Sequence, residues 1–270
     1  MSSRRTCERK RFFPRRSVDF FPRAARGALR YSAMRFVYFL TAIFCGMVGR
    51  AAALEIPKNC GQAVFVTTPA WTSPSGVLQR WTRPDGESPW KKVGKPVTVL
   101  VGERGLGWGL GLHRQPDDRG PRKTEGDRRA PAGIFRLTGA FGLGPRAVAR
   151  LAWQPVTPAL EAVDDPASRF YNRIVDRTQI ERPDWRSSER MATIPDYALG
   201  IIVAHNPQNI PGAGSCIFLH LWLGGRNGTA GCTVLRKPDL LVLANWLDPA
   251  RQPVLVQLPR EVSRGELNDL

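Results

Sequence analysis

Along residues 54–270, hydrophobic and polar positions change over short stretches and rarely repeat at helical spacing. Val64–Thr68 and Val97–Val101 are short runs rich in β-branched residues and read as strands. Leu106–Leu112 alternates large residues with glycine, the pattern of a strand that another backbone approaches closely. Gln115–Arg129 is polar, charged and turn-rich, which predicts an exposed loop with His113 solvated just before it. Ile134–Thr138 resumes strand character. Asp164-Asp165-Pro166 marks a turn or helix start, and Trp185–Met191 a short helix. Leu199–Ala204 and Ile217–Trp222 are apolar runs that predict adjacent core strands, joined through the Asn-, Pro- and Gly-rich loop Asn206–Gly214. Pro238 suits the first turn of a helix. Leu240, Leu241, Leu243, Ala244 and Leu247 give that helix its apolar face, and Asp248-Pro249 ends it. Val254–Leu258 is a last strand. The pattern is mainly β with one clear helix, and without internal repeats it reads as a single domain over 54–270.

Composition changes this picture at the N-terminus. The formal net charge is +17, and residues 1–53 hold twelve Lys/Arg against two acids, so more than half of the surplus lies there. A nucleic-acid arm fits that asymmetry. The uncharged run Phe36–Gly49, preceded by Arg35 and followed by Ala51-Ala52-Ala53, fits a secretory signal peptide better, and Met34 is a natural start for it. The run is shorter than the roughly 20 residues that span a bilayer. The expected mature protein is therefore exported to the periplasm or cell envelope without a stable membrane span, and nucleic acid is not an expected partner. A short membrane anchor is the alternative. Cys7 and Cys45 fall in this segment, leaving Cys60, Cys216 and Cys232. Three thiols are too few for a disulfide scaffold and leave at least one unpaired within the chain. Cys60 is either simply buried or paired with Cys216.

The candidate chemistry lies between 214 and 233. His220 lies in the Ile217–Trp222 strand run, and Cys232 follows in Gly228-Thr229-Ala230-Gly231-Cys232-Thr233, just before the helix. A thiol needs a neighbouring base to act as a nucleophile near neutral pH, and an imidazole supplies one. Gly231 allows close backbone approach. Thr229, Gly231 and Thr233 are candidates for oxyanion-hole or loop support. Cys216 shares strand parity with His220, so it is either a second thiol near the site or a small core residue. His205, Asn206 and Arg136 are candidate substrate contacts; arginine suits bidentate recognition of carboxylates. No short-spaced His pair points to a metal site.

These residues resemble the L,D-transpeptidase catalytic-domain family. The matching signature is His220 followed by Thr229-Ala230-Gly231-Cys232. Supporting segments are Gly126–Phe135, Val163-Asp164-Asp165-Pro166 with Tyr171-Asn172, Asp184-Trp185 with Ser188-Glu189-Arg190-Met191, and His205-Asn206. The likeness covers roughly 60–258. It departs from the commoner signature at Ala230, where a second His usually stands, and at Val234, where a basic or amide residue is usual. The resemblance implies a β-sandwich-like catalytic domain that needs no cofactor. It implies attack of the Cys232 thiolate on a peptidoglycan tetrapeptide stem, and transfer of the thioester to a neighbouring amine as a 3–3 cross-link. Water as acceptor gives an L,D-carboxypeptidase instead. Ala230 also leaves room for a catalytically silent wall-binding module.

Overall fold

The β-branched runs become strands that pair into one large sheet and one small one. The computed structural model describes residues 54–114, 120–148, 150–225 and 227–266. The expected signal peptide, the suggested start at Met34, Cys7 and Cys45 lie outside the described residues. The strands are β1 (Gln62–Thr68), β2 (Ser75–Thr82), β3 (Lys91–Leu100), β4 (Leu106–Trp108), β5 (Ala130–Gly142), β6 (Trp153–Pro155), β7 (Leu160–Val163), β8 (Arg173–Asp176), β9 (Ser188–Arg190), β10 (Leu199–Val203), β11 (Phe218–Leu221), β12 (Thr233–Leu235) and β13 (Val254–Pro259). Helix α1 spans Lys237–Trp246 and α2 spans Arg260–Glu266. The molecule is mainly β, as its sequence pattern predicts.

The large sheet runs β10-β11-β12-β3-β2-β1-β13-β5-β4. β5 also pairs with β10, so eight of these strands close into a ring, with β4 and β6 attached to β5. The thirteen residues of β5 make this possible. Their first half pairs with β13 and their second half with β10. The weakest seam is β12–β3, a single pair between Val234 and Leu100. β11 and β12 run parallel, joined by the loop that carries the candidate nucleophile. The small sheet, β8-β7-β9, lies beside β5 and β11 through a shared core.

Two apolar clusters divide the interior. The larger includes Val64, Val66, Val99, Ile134, Phe135, Ile201, Leu219, Leu221 and Leu235, with Leu240, Leu243 and Ala244 of α1. The smaller joins Phe141, Leu160, Ala162, Met191, Tyr197, Cys216, Phe218 and Cys232. Alternation along β11 places Phe218 in the smaller cluster and Leu219 and Leu221 in the larger.

The structure departs from the sequence pattern in four places. Trp185–Met191 is not a helix: Ser188–Arg190 forms β9 against β7, and only Met191–Thr193 turns as a 3-10 helix. The cause is tertiary. Glu161 of β7 is buried, and its Oε2 accepts from Trp185 Nε1 and Ser188 Oγ, both at 2.7 Å. The Leu106–Leu112 strand stops at Trp108. The 115–129 run is not wholly exposed, because Lys123 is buried; residues 115–119 lie outside the described set. His113 is packed rather than solvated. Its ring lies 5.7 Å from Trp108 and 5.6 Å from Phe135, and its Nδ1 accepts from Ile134 N–H. Gly133 makes this possible, since a Cβ there would stand 1.9 Å from the His113 ring. Cys60, Cys216 and Cys232 are all free thiols, and Cys60 and Cys216 belong to different clusters.

Candidate active site

The β11–β12 register decides what meets Cys232. Leu219 pairs with Thr233 and His220 with Val234, so Cys232, one residue before β12, lies opposite Phe218. Phe218 N–H accordingly donates to Cys232 Sγ at 3.3 Å. Phe218 and His220 are two apart on one strand and share a face. Tyr197 ties that face together: its ring lies 5.5 Å from Phe218 and 5.1 Å from His220, edge-on to both. Cys232 and His220 thus occupy one face of the sheet as diagonal neighbours.

The imidazole has a defined tautomer. His220 Nδ1 stands 3.0 Å from Leu221 O. A carbonyl only accepts, so Nδ1 carries the proton and the basic lone pair lies on Nε2. His220 is itself buried, at 4% exposure.

Thr229 builds the turn. Its Oγ1 donates to Cys232 O at 2.5 Å and accepts from Gly231 N–H at 3.1 Å. The Gly231 N–H is therefore engaged in holding the turn. Space fixes the glycine here: a Cβ would come within 3.2 Å of Ile217 Cδ1 and 3.3 Å of Arg129 O. Thr233 faces the other way, donating to Gln257 Oε1 at 2.7 Å. Arg136 is not brought to the thiol; it donates to Gln252 Oε1 at 2.6 Å.

His205 and Asn206 are buried scaffold for the loop that leads to Cys216. His205 Nδ1 accepts from Leu110 N–H at 3.3 Å, and Nε2 stands 3.0 Å from Ala213 O. Burial pulls its pKa down to about 4, so the ring is neutral near pH 7. Asn206 Nδ2 donates to Ile210 O and Gly214 O. Asn172 donates to His205 O, Asn206 O and Asn209 Oδ1 and accepts from Cys216 N–H. Glu125 accepts from Tyr171 O–H and Ser215 O–H on one carboxylate oxygen. These contacts hold Cys216 at φ +52 and its carbonyl oxygen 3.7 Å from Cys232 Sγ. Cys216 Sγ points to Val163 O at 3.5 Å. A cleft of about 270 Å³ reaches this point, lined by Thr138, Asn172, Ile174, Ile202, Cys216 and Phe218.

The electrostatics hold the resting thiol neutral. Burial, then the nearby Glu189, push Cys232 up to about 12, against the Phe218 N–H and Lys123, which act downward. Burial also pushes Cys216 well above an ordinary thiol. Glu189 is also raised, mainly by burial, and accepts from Tyr197 O–H at 2.5 Å. Sequence reasoning missed the functional placement of Tyr197, Lys123 and Asn172. Asn172 and Glu189 stood within segments of the family likeness, but Lys123 sits in a charged run with no burial signal.

Among the described residues, no group of three or more His, Cys, Asp or Glu is placed to hold a metal ion, and no helix is long and apolar enough to cross a membrane. Neither curated proteins nor solved structures show a match to the chain. The family model described as YkuD, L,D-transpeptidase catalytic domain, matches residues 65–256, which span β1 to β13 and include His220 and Cys232. A strand-borne histidine and a loop-borne cysteine on one sheet face, within a match over most of its length, mean that the chain belongs to the L,D-transpeptidase catalytic-domain family.

Proposed function

We propose that the protein is an exported cysteine acyltransferase that cross-links peptidoglycan stem peptides through a Cys232 thioester. The observation that carries this reading is the shared face of His220 and Cys232, with the imidazole proton on Nδ1. Because the resting thiol is neutral, the chemistry is general-base attack rather than use of a preformed thiolate. His220 Nε2 takes the thiol proton as Sγ attacks the carbonyl of the third stem residue. The S–C bond forms, the C–N bond to the terminal D-alanine breaks, and the proton passes from His220 to the leaving amine. An amine of a neighbouring stem then attacks the thioester and regenerates the thiol, leaving a 3–3 cross-link. The 270 Å³ cleft beside Cys216 and Phe218 is a mixed polar and apolar trough suited to an extended peptide. The export reading rests on the Phe36–Gly49 run and the flanking basic residues.

A second reading, hydrolysis of the thioester by water, shares every step up to the acyl-enzyme. Incubation of the chain and a Cys232→Ala variant with tetrapeptide-bearing muropeptides, followed by mass spectrometry, separates the two. Cross-linked dimers with loss of D-alanine, absent in the variant, support the transpeptidase. Shortened monomers alone support the carboxypeptidase, and no Cys232-dependent product overturns both in favour of a silent wall-binding module.

A further inference from the structure

Lys123 is a buried cation held in an ion pair beside the Cys232 turn. Its side chain is 3% exposed and ion-paired to Asp127 at 2.7 Å; Asp127 in turn accepts from Thr124 N–H and Arg129 N–H. Lys123 Nζ also donates to Thr124 O at 2.7 Å. A buried ion pair is costly to desolvate, and apolar residues of similar volume commonly replace one without loss of stability. A role that an apolar side chain cannot fill would account for this pair.

Its location supplies the role. A Cβ on Gly231 would lie 3.9 Å from Lys123 Cε, and one on Gly214 would lie 3.0 Å from the same atom. The buried stem of Lys123 therefore runs between the turn that presents Cys232 and the loop that leads to Cys216. We propose that Lys123 is a positioning residue for the nucleophile: its ammonium, held by Asp127 and Thr124 O with its stem beside Gly231, supplies the positive potential that stabilises negative charge on Cys232 Sγ as the proton leaves. This rests on the reading of Cys232 as the nucleophile.

The other charged and titratable groups around the two residues set the sign. Glu189, Tyr197, Cys216 and His220 face Cys232 from β9, the 3-10 turn Pro195–Ala198, the loop before β11, and β11 itself. Glu189 opposes the thiolate. Around Lys123 stand Asp127 and the neutral His205, while Glu125 is engaged by Tyr171 and Ser215 and Arg129 donates to Arg104 O and Leu106 O. Lys123 is thus the positive side chain whose charge favours the ionised thiol.

The test reads the thiol itself. Full-length protein is alkylated with iodoacetamide across a pH series, and modification at Cys232 is followed by peptide mapping, which separates it from Cys60 and Cys216. Lys123→Met should slow alkylation of Cys232 about tenfold at a given pH, the effect of one unit in a nearby-charge shift. Asp127→Asn leaves the ammonium uncompensated and should speed it severalfold. Shifts of opposite sign support the proposal. Shifts of the same sign, or an unchanged profile for Lys123→Met, overturn it, because a pair that merely holds the segment in place would be damaged alike from either side. Should Lys123→Met fail to fold by circular dichroism, Lys123→Gln, which keeps a polar head for Asp127 and removes the charge, takes its place. Slower alkylation then supports the proposal, and a wild-type rate overturns it. The readout is independent of cross-linking, so a Cys232→Ala variant that keeps its activity would sink the functional reading without touching this result.

Discussion

The two faces of β11 differ in what they bury. Leu219 and Leu221 point into the larger cluster with Leu235 and the apolar face of α1. Phe218 and His220, one residue out of phase, look onto Cys232, Tyr197 and the small sheet. On the proposed function, four consecutive residues thus divide stability from chemistry, because a strand turns successive side chains to opposite sides. One face needs only close packing. The other holds a buried imidazole, a buried thiol and the half-buried carboxyl of Glu189, which Tyr197 O–H meets.

Substitutions on the two faces should therefore fail in different ways. Cys232→Ala should remove cross-linking altogether, a loss on the order of 10⁴-fold or more, while the thermal unfolding midpoint stays close to that of the parent. His220→Ala should cost roughly 10²- to 10⁴-fold as the base is lost. Leu219→Ala should do the reverse, losing about 2–5 kcal/mol of stability with the chemistry of the folded fraction intact. Urea titration beside a muropeptide assay separates these outcomes. A Leu219→Ala protein that folds normally but cannot react would erase the division.

The turn joining the faces is a smaller test. Thr229 is buried, and its Oγ1 holds both Cys232 O and Gly231 N–H. Thr229→Val keeps the shape and orphans both groups, which should cost about 1–3 kcal/mol. Serine should restore most of it. If valine were tolerated in stability and rate, the turn would be held by sterics around Gly231 alone.

The apolar face of β11 was legible in the sequence and the chemical face only in part. Leu199–Ala204 and Ile217–Trp222 are apolar runs of strand length, and they pair as β10 and β11. The helix after Pro238 begins at Lys237 and packs through Leu240, Leu243 and Ala244. Cys232 and His220 stood out because thiol and imidazole chemistry is rare in a chain with three His and five Cys. Burial of charge leaves no such mark. Lys123 and Glu189 look like any solvated residues in polar runs, and only the return of distant segments to the Cys232 turn takes them out of water. His205-Asn206 stood out as candidate substrate contacts; their side chains secure the loop before Cys216, and His205 also lines the cleft beside it. Ser188–Arg190 reads as helix because the pairing that makes it a strand is supplied by β7, some twenty-five residues earlier.

Glu189 sharpens the comparison most finely, since it sits on the chemical face yet works against the chemistry. Burial raises its carboxyl above the usual range, and its charge helps hold the Cys232 thiol neutral. A carboxyl raised in the folded state favours folding most when protonated; that contribution is present below its unfolded pKa and is lost as pH rises through the folded value. Glu189→Gln keeps the hydrogen-bonding shape for Tyr197 O–H and removes the charge. Stability of the variant should then fall less than that of the parent as pH climbs from the usual carboxylate range through the raised folded value. Cys232 alkylation should quicken by up to about tenfold, the counterpart of removing one like charge. Thermal melts across that pH range and the alkylation series read the two effects separately. If Glu189→Gln steepened the pH dependence, or slowed alkylation, the carboxylate would be supporting the thiolate through Tyr197, and the chemical face would be built on a proton relay rather than on restraint of the resting thiol.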